Sequence, residues 1–351
     1  MNKKLLTLAI GAALASAPMF ANAAATVYGA AHLSIDMLDD GNTTNNSLLT
    51  MASNSSFIGI KAEEDLGGGM KALAGLEWQV ALDSGTTGMA NRNVFVGLQG
   101  GFGTVRLGNY DDIVKNVGRA VDFFYSEQIG ESRSITAKNG GLDGRLANSV
   151  RYDSPKLGPV TLTAQYGMAN NDDETTGLDL TAYAVGAQMD MGGLYVGLGY
   201  KSQEVQNLAL NGKDSATGMR LSASYTIGAF KVGGLYQNYQ NDAPAADQDQ
   251  TVYGVGASFK VGNGLIKGQY YVADELTSNA DNGATLTAIG YDHNLSKNTM
   301  VYATYASVDN DGAGAFSVIG AGHSNPNDTT GFSPVAADSN SAFSVGMKVK
   351  F

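Results

Sequence analysis

Ser341-Ala-Phe-Ser-Val-Gly-Met-Lys-Val-Lys-Phe351 closes the chain. Phe343, Val345, Met347, Val349 and Phe351 fall on one face of an extended strand; Ala342, Ser344, Gly346, Lys348 and Lys350 fall on the other. Side chains alternate along a strand, so a continuous apolar row backed by two lysines suits a wall with hydrocarbon outside and water inside. A single strand of this kind also suits the edge of a soluble sheet. The rest of the chain settles which it is.

The alternation returns along the whole sequence. Val27, Gly29, Ala31, Leu33, Ile35 and Met37 oppose Tyr28, Ala30, His32, Ser34 and Asp36. Leu194, Val196, Leu198 and Tyr200 oppose Tyr195, Gly197, Gly199 and Lys201. The pattern predicts strands near 26–37, 53–64, 70–82, 91–99, 103–109, 146–154, 158–168, 179–190, 193–203, 216–227, 229–240, 250–261, 264–274, 284–293, 299–308 and 341–351, sixteen in all. Short links such as Leu66-Gly-Gly-Gly69 and Val261-Gly-Asn-Gly264 read as turns at one rim. Long polar links (38–52, 204–215, 240–249 and 309–340) read as loops at the other. Short turns against long loops, with one apolar face on nearly every strand, predict an all-β fold: a sixteen-stranded antiparallel transmembrane β-barrel. Eight strands would be filled by their own side chains, whereas sixteen leave an open lumen. The sizeable apolar surface is then the lipid-facing band rather than a packed interior.

The other end of the chain gives the compartment. Met1-Asn-Lys-Lys4 is a short positive start, Leu5 to Leu14 is apolar, and Ala21-Asn22-Ala23 offers small residues for cleavage. Residues 1–23 read as a secretory signal peptide and 24–351 as the mature barrel. Forty-six glycines, 17 tyrosines and only 16% charged residues fit strands and tight turns. Removing Lys3 and Lys4 from the 22 basic residues leaves 20 against 33 acidic, a mature net charge of −13. That balance offers no basic surface to replace the counterions of nucleic acid. With no cysteine there is neither a disulfide framework nor a thiolate metal site.

Four segments then carry a family likeness: Glu64-Asp-Leu-Gly-Gly-Gly-Met-Lys-Ala72, Val96-Gly-Leu-Gln-Gly-Gly-Phe-Gly-Thr-Val-Arg-Leu-Gly108, Asn148-Ser-Val-Arg-Tyr-Asp-Ser-Pro155 and Leu295-Ser-Lys-Asn-Thr299. In this order and spacing the chain resembles the sixteen-stranded general porins of Gram-negative proteobacteria. The resemblance implies a homotrimer of barrels in the outer membrane, each with its own aqueous pore for small hydrophilic solutes. It implies contact with lipid and lipopolysaccharide, and a terminal Phe351 read by the barrel-assembly machinery. It also implies a third external loop, here 110–144, that folds inward and narrows the pore. A link of this length is functional or disordered rather than a plain hairpin connection. Val121, Phe123, Phe124, Tyr125 and Ile129 are its candidates for packing on the inner wall.

Family members face that loop with wall arginines, and Arg92 and Arg145 match two of them. Arg106, Arg151 and Lys61 sit on polar faces by parity. A charge facing mid-bilayer costs about 2–4 kcal/mol, so all five are expected to point into the lumen. The negative candidates of the constriction are Asp111, Asp112, Asp122, Glu127 and Glu131. The chain departs from the family at three usual arginine positions. It reads Ser56-Phe57-Ile58-Gly59, Leu107-Gly108-Asn109 and Ser296-Lys297-Asn298-Thr299 instead, which puts Phe57 on the pore wall. With the acidic balance, weak cation preference is expected.

No reaction is implied. His32, His293 and His323 are scattered, and none has the serine or aspartate partner of a hydrolase in sequence view. No cofactor and no metal site follow from them. Asp309-Asn310-Asp311-Gly312 lacks the twelfth-position glutamate of a calcium loop. Two other uses of such a barrel stay open: a substrate-selective porin for an oligosaccharide or specific anion, and a non-conducting adhesin or bacteriophage receptor.

Overall fold

Seventeen strands, alternating in face at every residue, hydrogen-bond into one closed antiparallel sheet in the computed structural model of the chain. It describes residues 24–41, 47–84, 89–125, 128–137, 142–173, 178–207, 212–241, 249–276, 281–320, 322–323, 332 and 338–351. The expected signal peptide, 1–23, lies outside these residues, as does Glu127.

The strands are β1 (Ala24–Asp39), β2 (Leu48–Ser53), β3 (Phe57–Gly67), β4 (Met70–Val80), β5 (Met89–Gly100), β6 (Gly103–Asp111), β7 (Arg145–Asp153), β8 (Val160–Asp173) and β9 (Leu178–Met191). They continue with β10 (Leu194–Asn207), β11 (Gly212–Ile227), β12 (Phe230–Asn241), β13 (Gln250–Val261), β14 (Gly264–Ala273), β15 (Ala284–Asn294), β16 (Thr299–Asn310) and β17 (Ser339–Lys350). Two short helices, α1 (Ile113–Arg119) and α2 (Arg133–Thr136), lie between β6 and β7.

Closure is made where the chain ends meet. β17 pairs with β1 in the register Ala31↔Val349 and Asp36↔Ser344. Phe351 extends that ladder by exchanging both backbone bonds with Gly29, at 3.0 and 3.1 Å. The parity of the quoted stretch holds: Val345 is 50% exposed on the outer face, while Ser344 on the other face is fully buried. At the turn after β3, Gly67, Gly68 and Gly69 all take positive φ, between 61° and 78°. A side chain there would be strained in each residue, which is why three glycines stand in a row.

β2 and β3 occupy one place in the wall. β2 pairs with residues 33–38 of β1 and β3 with residues 24–30, so the barrel has sixteen wall positions, one of them interrupted. The interruption is Asn54-Ser55-Ser56, where Ser55 has φ 49°. The predicted strand at 53–64 therefore starts earlier, inside the predicted loop 38–52, and breaks in its middle. β10 and β11 likewise extend into the predicted loop 204–215.

Apolar residues between β6 and β7, among them the expected Val121, Phe124 and Ile129, pack on strand residues in two clusters. Ile113, Val114, Val117, Leu142 and Leu146 are buried against Ala182, Ala184, Ala216 and Tyr239. Val121, Phe124, Ile129 and Ile135 are buried with Leu235, Tyr271, Leu286, Ala288, Ala306 and Val308, and with Phe316, Val318 and Phe332 from the β16–β17 link. Each such side chain contributes about 1.5–3 kcal/mol when fully buried, which offsets the cost of ordering the segment. The wall makes room by omission: a Cβ on Gly199 would meet Val114, and one on Gly290 would meet Phe124.

Candidate functional site

The polar face of the wall carries its densest charge where β6 runs into α1. Asp111 ends β6, and its carboxylate receives Arg119 Nη1 at 2.7 Å, Lys115 Nζ at 2.8 Å and Arg145 Nε at 3.1 Å. One buried anion thus sits under three cations. Spacing explains two of them, since Lys115 and Arg119 lie four and eight residues after Asp111, on the face that α1 turns back toward it. Asn93, beside a register shift between β4 and β5, adds its side-chain amide to Asp111 at 3.3 Å.

Around this node the wall arginines are sandwiched between carboxylates and rings. Arg92 pairs with Glu77, and its guanidinium lies 5.1 Å over the Phe57 ring. Arg106 and Arg151 share Asp153, at 2.5 and 2.9 Å. Both also lie over Tyr110, at 5.1 and 5.0 Å. Arg119 lies 4.7 Å over Tyr125. Lys61 stands at the edge, 5.6 Å over Tyr28. The patch therefore holds Arg92, Arg106, Lys115, Arg119, Arg145 and Arg151 against Glu77, Asp111 and Asp153: six cations on three carboxylates among the described residues.

The segment between β6 and β7 is fastened to β10, β11, β14 and β15 by matched pairs. Asp112 caps α1 by accepting the Lys115 amide at 2.9 Å, and it meets Lys201 Nζ of β10 at 3.2 Å. Near the other end Asp143 receives two bonds from Arg220 of β11, at 2.7 and 2.8 Å, and Arg220 also donates to the Val114 carbonyl at 3.1 Å. Gln128 reaches Asp292 at 3.2 Å and accepts from Lys267 at 2.9 Å. Asp122 takes the amides of Phe124 and Ser132, the Ser132 hydroxyl and the Gln269 amide, all at 2.8–3.2 Å.

Burial sets the titration of these loop groups. It pushes the Asp112 and Asp122 carboxyls above their ordinary range. At Asp143 burial acts in the same direction, but the Arg220 guanidinium overrides it and holds the carboxyl well below that range. At Lys115 burial outweighs the attraction of Asp111 and pulls the amine down to about 8.

Six expected site residues thus come together: Arg92, Arg145, Arg106, Arg151, Asp111 and Phe57, with Lys61 beside them. Three do not. Asp112, Asp122 and Glu131, expected as the negative side of a constriction, are buried, and each is already engaged. Glu131 meets Arg133 at 2.9 Å and accepts the Gly322 amide at 3.3 Å. Sequence reasoning missed Glu77 and Asp153 as members of the patch; the Asp111-Lys115-Arg119 spacing is what joins two loop cations to it.

Comparison with known proteins agrees with this architecture. A sequence model described as Gram-negative porin matches residues 9–313. The chain is 33% identical over 332 residues to outer membrane porin protein 32 of Delftia acidovorans, covering 88% of this chain and 90% of that one. It is 28% identical over 322 residues to the major outer membrane protein P.IB of Neisseria lactamica, covering 85% and 91%. Among solved structures it is similar to an anion-selective porin from Comamonas acidovorans, with a TM-score of 0.81 and 26% identity over 94% of this chain and 100% of that one.

Proposed function

Because the chain belongs to the Gram-negative porin family, whose members are passive channels of the outer membrane rather than enzymes, we propose that its selective section is the six-cation patch around Asp111 and that this section favours anions. In this reading the segment 112–144 folds into the lumen and leaves the solute path along β3–β7. The observation that carries it is the order of burial among the described groups. Asp111 is 5% exposed in its side chain and lies beneath Arg145 and Arg119, at 21% and 16%. A passing ion meets guanidinium groups before it meets the carboxylate.

Magnitudes favour a moderate preference. A unit charge acting across about 7 Å is worth about 0.6 kcal/mol in water and about 2.4 kcal/mol at an effective dielectric of 20. Guanidinium groups that lie nearer the path than the carboxylate they cover, focused by low-dielectric walls, then bias the ion ratio several-fold, and salt weakens the bias. Rings of Arg and Lys are the usual lining of anion pores. Of the acidic residues behind the expectation of cation preference, Asp112, Asp122 and Glu131 are buried and engaged, so in this reading they contribute little to the field at the path.

The homotrimer implied by the resemblance fits the outer face. Ile35, Met37, Leu49, Met51, Phe343 and Val345 form an apolar stretch without tyrosine across β17, β1 and β2, whereas Tyr166, Tyr183, Tyr236, Tyr253 and Tyr270 stud the face from β8 to β14. Tyrosine belongs at the lipid–water interface, and the tyrosine-poor stretch suits a neighbouring subunit.

Swelling of liposomes carrying the protein tests the charge reading with solutes of one size: gluconate, glucose and protonated glucosamine. Gluconate is expected to enter faster than glucosamine at low salt, with the gap closing at high salt. Equal rates for the two charged sugars would overturn the reading.

A further inference from the structure

The link between β16 and β17 is tied into the barrel at three places. Asn310 accepts the Phe316 amide at 2.7 Å, and Asn340 accepts the Val318 amide at 2.7 Å, so the link doubles back over the strand ends it connects. Phe316, Val318 and Phe332 then pack on Ile129 and Ile135 of the segment between β6 and β7. Two polar contacts fix the same segment: Gly130 donates its amide to the Val318 carbonyl at 3.1 Å, and the Gly322 amide reaches Glu131 at 3.3 Å. Gly320 lies so close to the Glu131 carboxylate that a Cβ would collide with it.

The third tie is the interruption between β2 and β3. Asn54 and His323 form an antiparallel bridge there, and the Ser55 hydroxyl donates to the Gly322 carbonyl at 2.9 Å. His323 Nε2 lies 3.1 Å from Asp36 Oδ2 on β1, with both side chains wholly buried. Ser34 donates to the same Asp36 oxygen at 3.0 Å, and the Asn54 amide donates to Ser34 at 2.8 Å. The positive φ of Ser55 and the broken ladder have a purpose in this arrangement. Breaking the strand frees backbone groups that an incoming segment 267 positions away can take up.

We propose that Phe316, Val318, Gly322 and His323 belong to a second strap across the channel, latched into the gap in the wall by His323 and Asp36, and that this strap limits the size of solute that passes. It goes beyond the charge patch, because its residues act by occupying the lumen rather than by their field. The patch sorts by charge; the strap sorts by bulk. Through Gly130 and Glu131 it also holds the segment between β6 and β7 in place, so releasing the latch loosens both.

The chain has no cysteine, which allows a reversible test in the full-length protein. Asn54 and His323 are bridge partners, and residues opposed across an antiparallel pair stand about 4.5–5.5 Å apart at Cα, within the span of a disulfide. In Asn54→Cys with His323→Cys the latch is absent when reduced and replaced by a covalent tie when oxidised. Liposome swelling with glucose, maltose and raffinose, all uncharged, reads the sieve without the field. The reduced form is expected to admit raffinose several-fold faster than the oxidised form, with glucose changed least and the oxidised form matching the parent protein. Asp36→Asn, checked for barrel folding by heat-modifiable gel mobility, is expected to shift raffinose entry in the direction of the reduced form. Equal raffinose rates in the two redox forms, with disulfide formation verified by thiol labelling, would overturn the strap and leave the charge patch untouched.

Discussion

Two stretches of the same wall use the same residue types to opposite ends. From β10 to β15 every charge described above is matched: Lys201 with Asp112, Arg220 with Asp143, Lys267 with Asp292. All three cations are almost wholly buried, and they serve as fasteners for the segment between β6 and β7. Around β4 to β7 the count is unequal, with six cations on three carboxylates, and the arginines stay partly exposed over aromatic rings. Matched and buried, a charge holds structure and gives no field. Shared among fewer described carboxylates and left 7–21% exposed, the arginines give a field and hold less structure.

Breaking a fastener is expected to have the largest effect. Arg220→Met leaves Asp143 buried without its cation, and losing one partner of a buried pair costs about 3–5 kcal/mol. The expected outcome is a loosened segment, seen as faster proteolysis between β6 and β7 and as noisy single-channel current. Adding Asp143→Leu is expected to recover most of the stability, because an apolar pair can replace a buried ion pair at little cost. If Arg220→Met alone gave quiet, parent-like channels, Arg220 would not be a fastener.

Removing surplus cations comes next. Arg92→Ala with Arg145→Ala reduces the patch from six cations to four and is expected to lower the preference for Cl⁻ over K⁺ several-fold. Thermal stability in detergent should fall far less than for Arg220→Met. An unchanged reversal potential would place the selective section elsewhere.

A smaller effect is expected from pH. Lys115 is a base whose burial pulls it down to about 8. It is charged below that value and loses its proton as pH rises through it, leaving five cations in the patch. Anion preference should therefore decline between pH 7 and pH 9, and Lys115→Met should flatten that part of the profile. The smallest effect belongs to Asp122→Asn. Asp122 has four hydrogen-bond donors around it and no cation in direct contact, and burial raises its carboxyl, so its replacement is expected to leave ion selectivity unchanged. A shift toward anions in that variant would mean that its charge does reach the path.

Local rules made the wall legible. Alternation located a strand at each of the sixteen wall positions, because the faces of a membrane barrel are imposed residue by residue. The patch was half legible: parity put Arg106 and Arg151 on the polar face, and the family pattern supplied Arg92 and Arg145. The burial of Asp112, Asp122 and Glu131 was not legible, for a physical reason. Sequence counts formal charge, whereas the field depends on which charges are buried and matched. The mature net charge of −13 is silent on this in the same way, since it sums over loops and wall alike. The gap at Asn54-Ser55-Ser56 was illegible because its partner, His323, is separated from it by most of the chain.

The most direct test of the account is the zero-current potential of the purified protein in a planar bilayer under a tenfold KCl gradient. The six-to-three patch predicts the sign for Cl⁻ preference, shrinking as total salt rises. A potential of the sign for K⁺ preference would contradict it, and would mean that the carboxylates, not the arginines, govern the path.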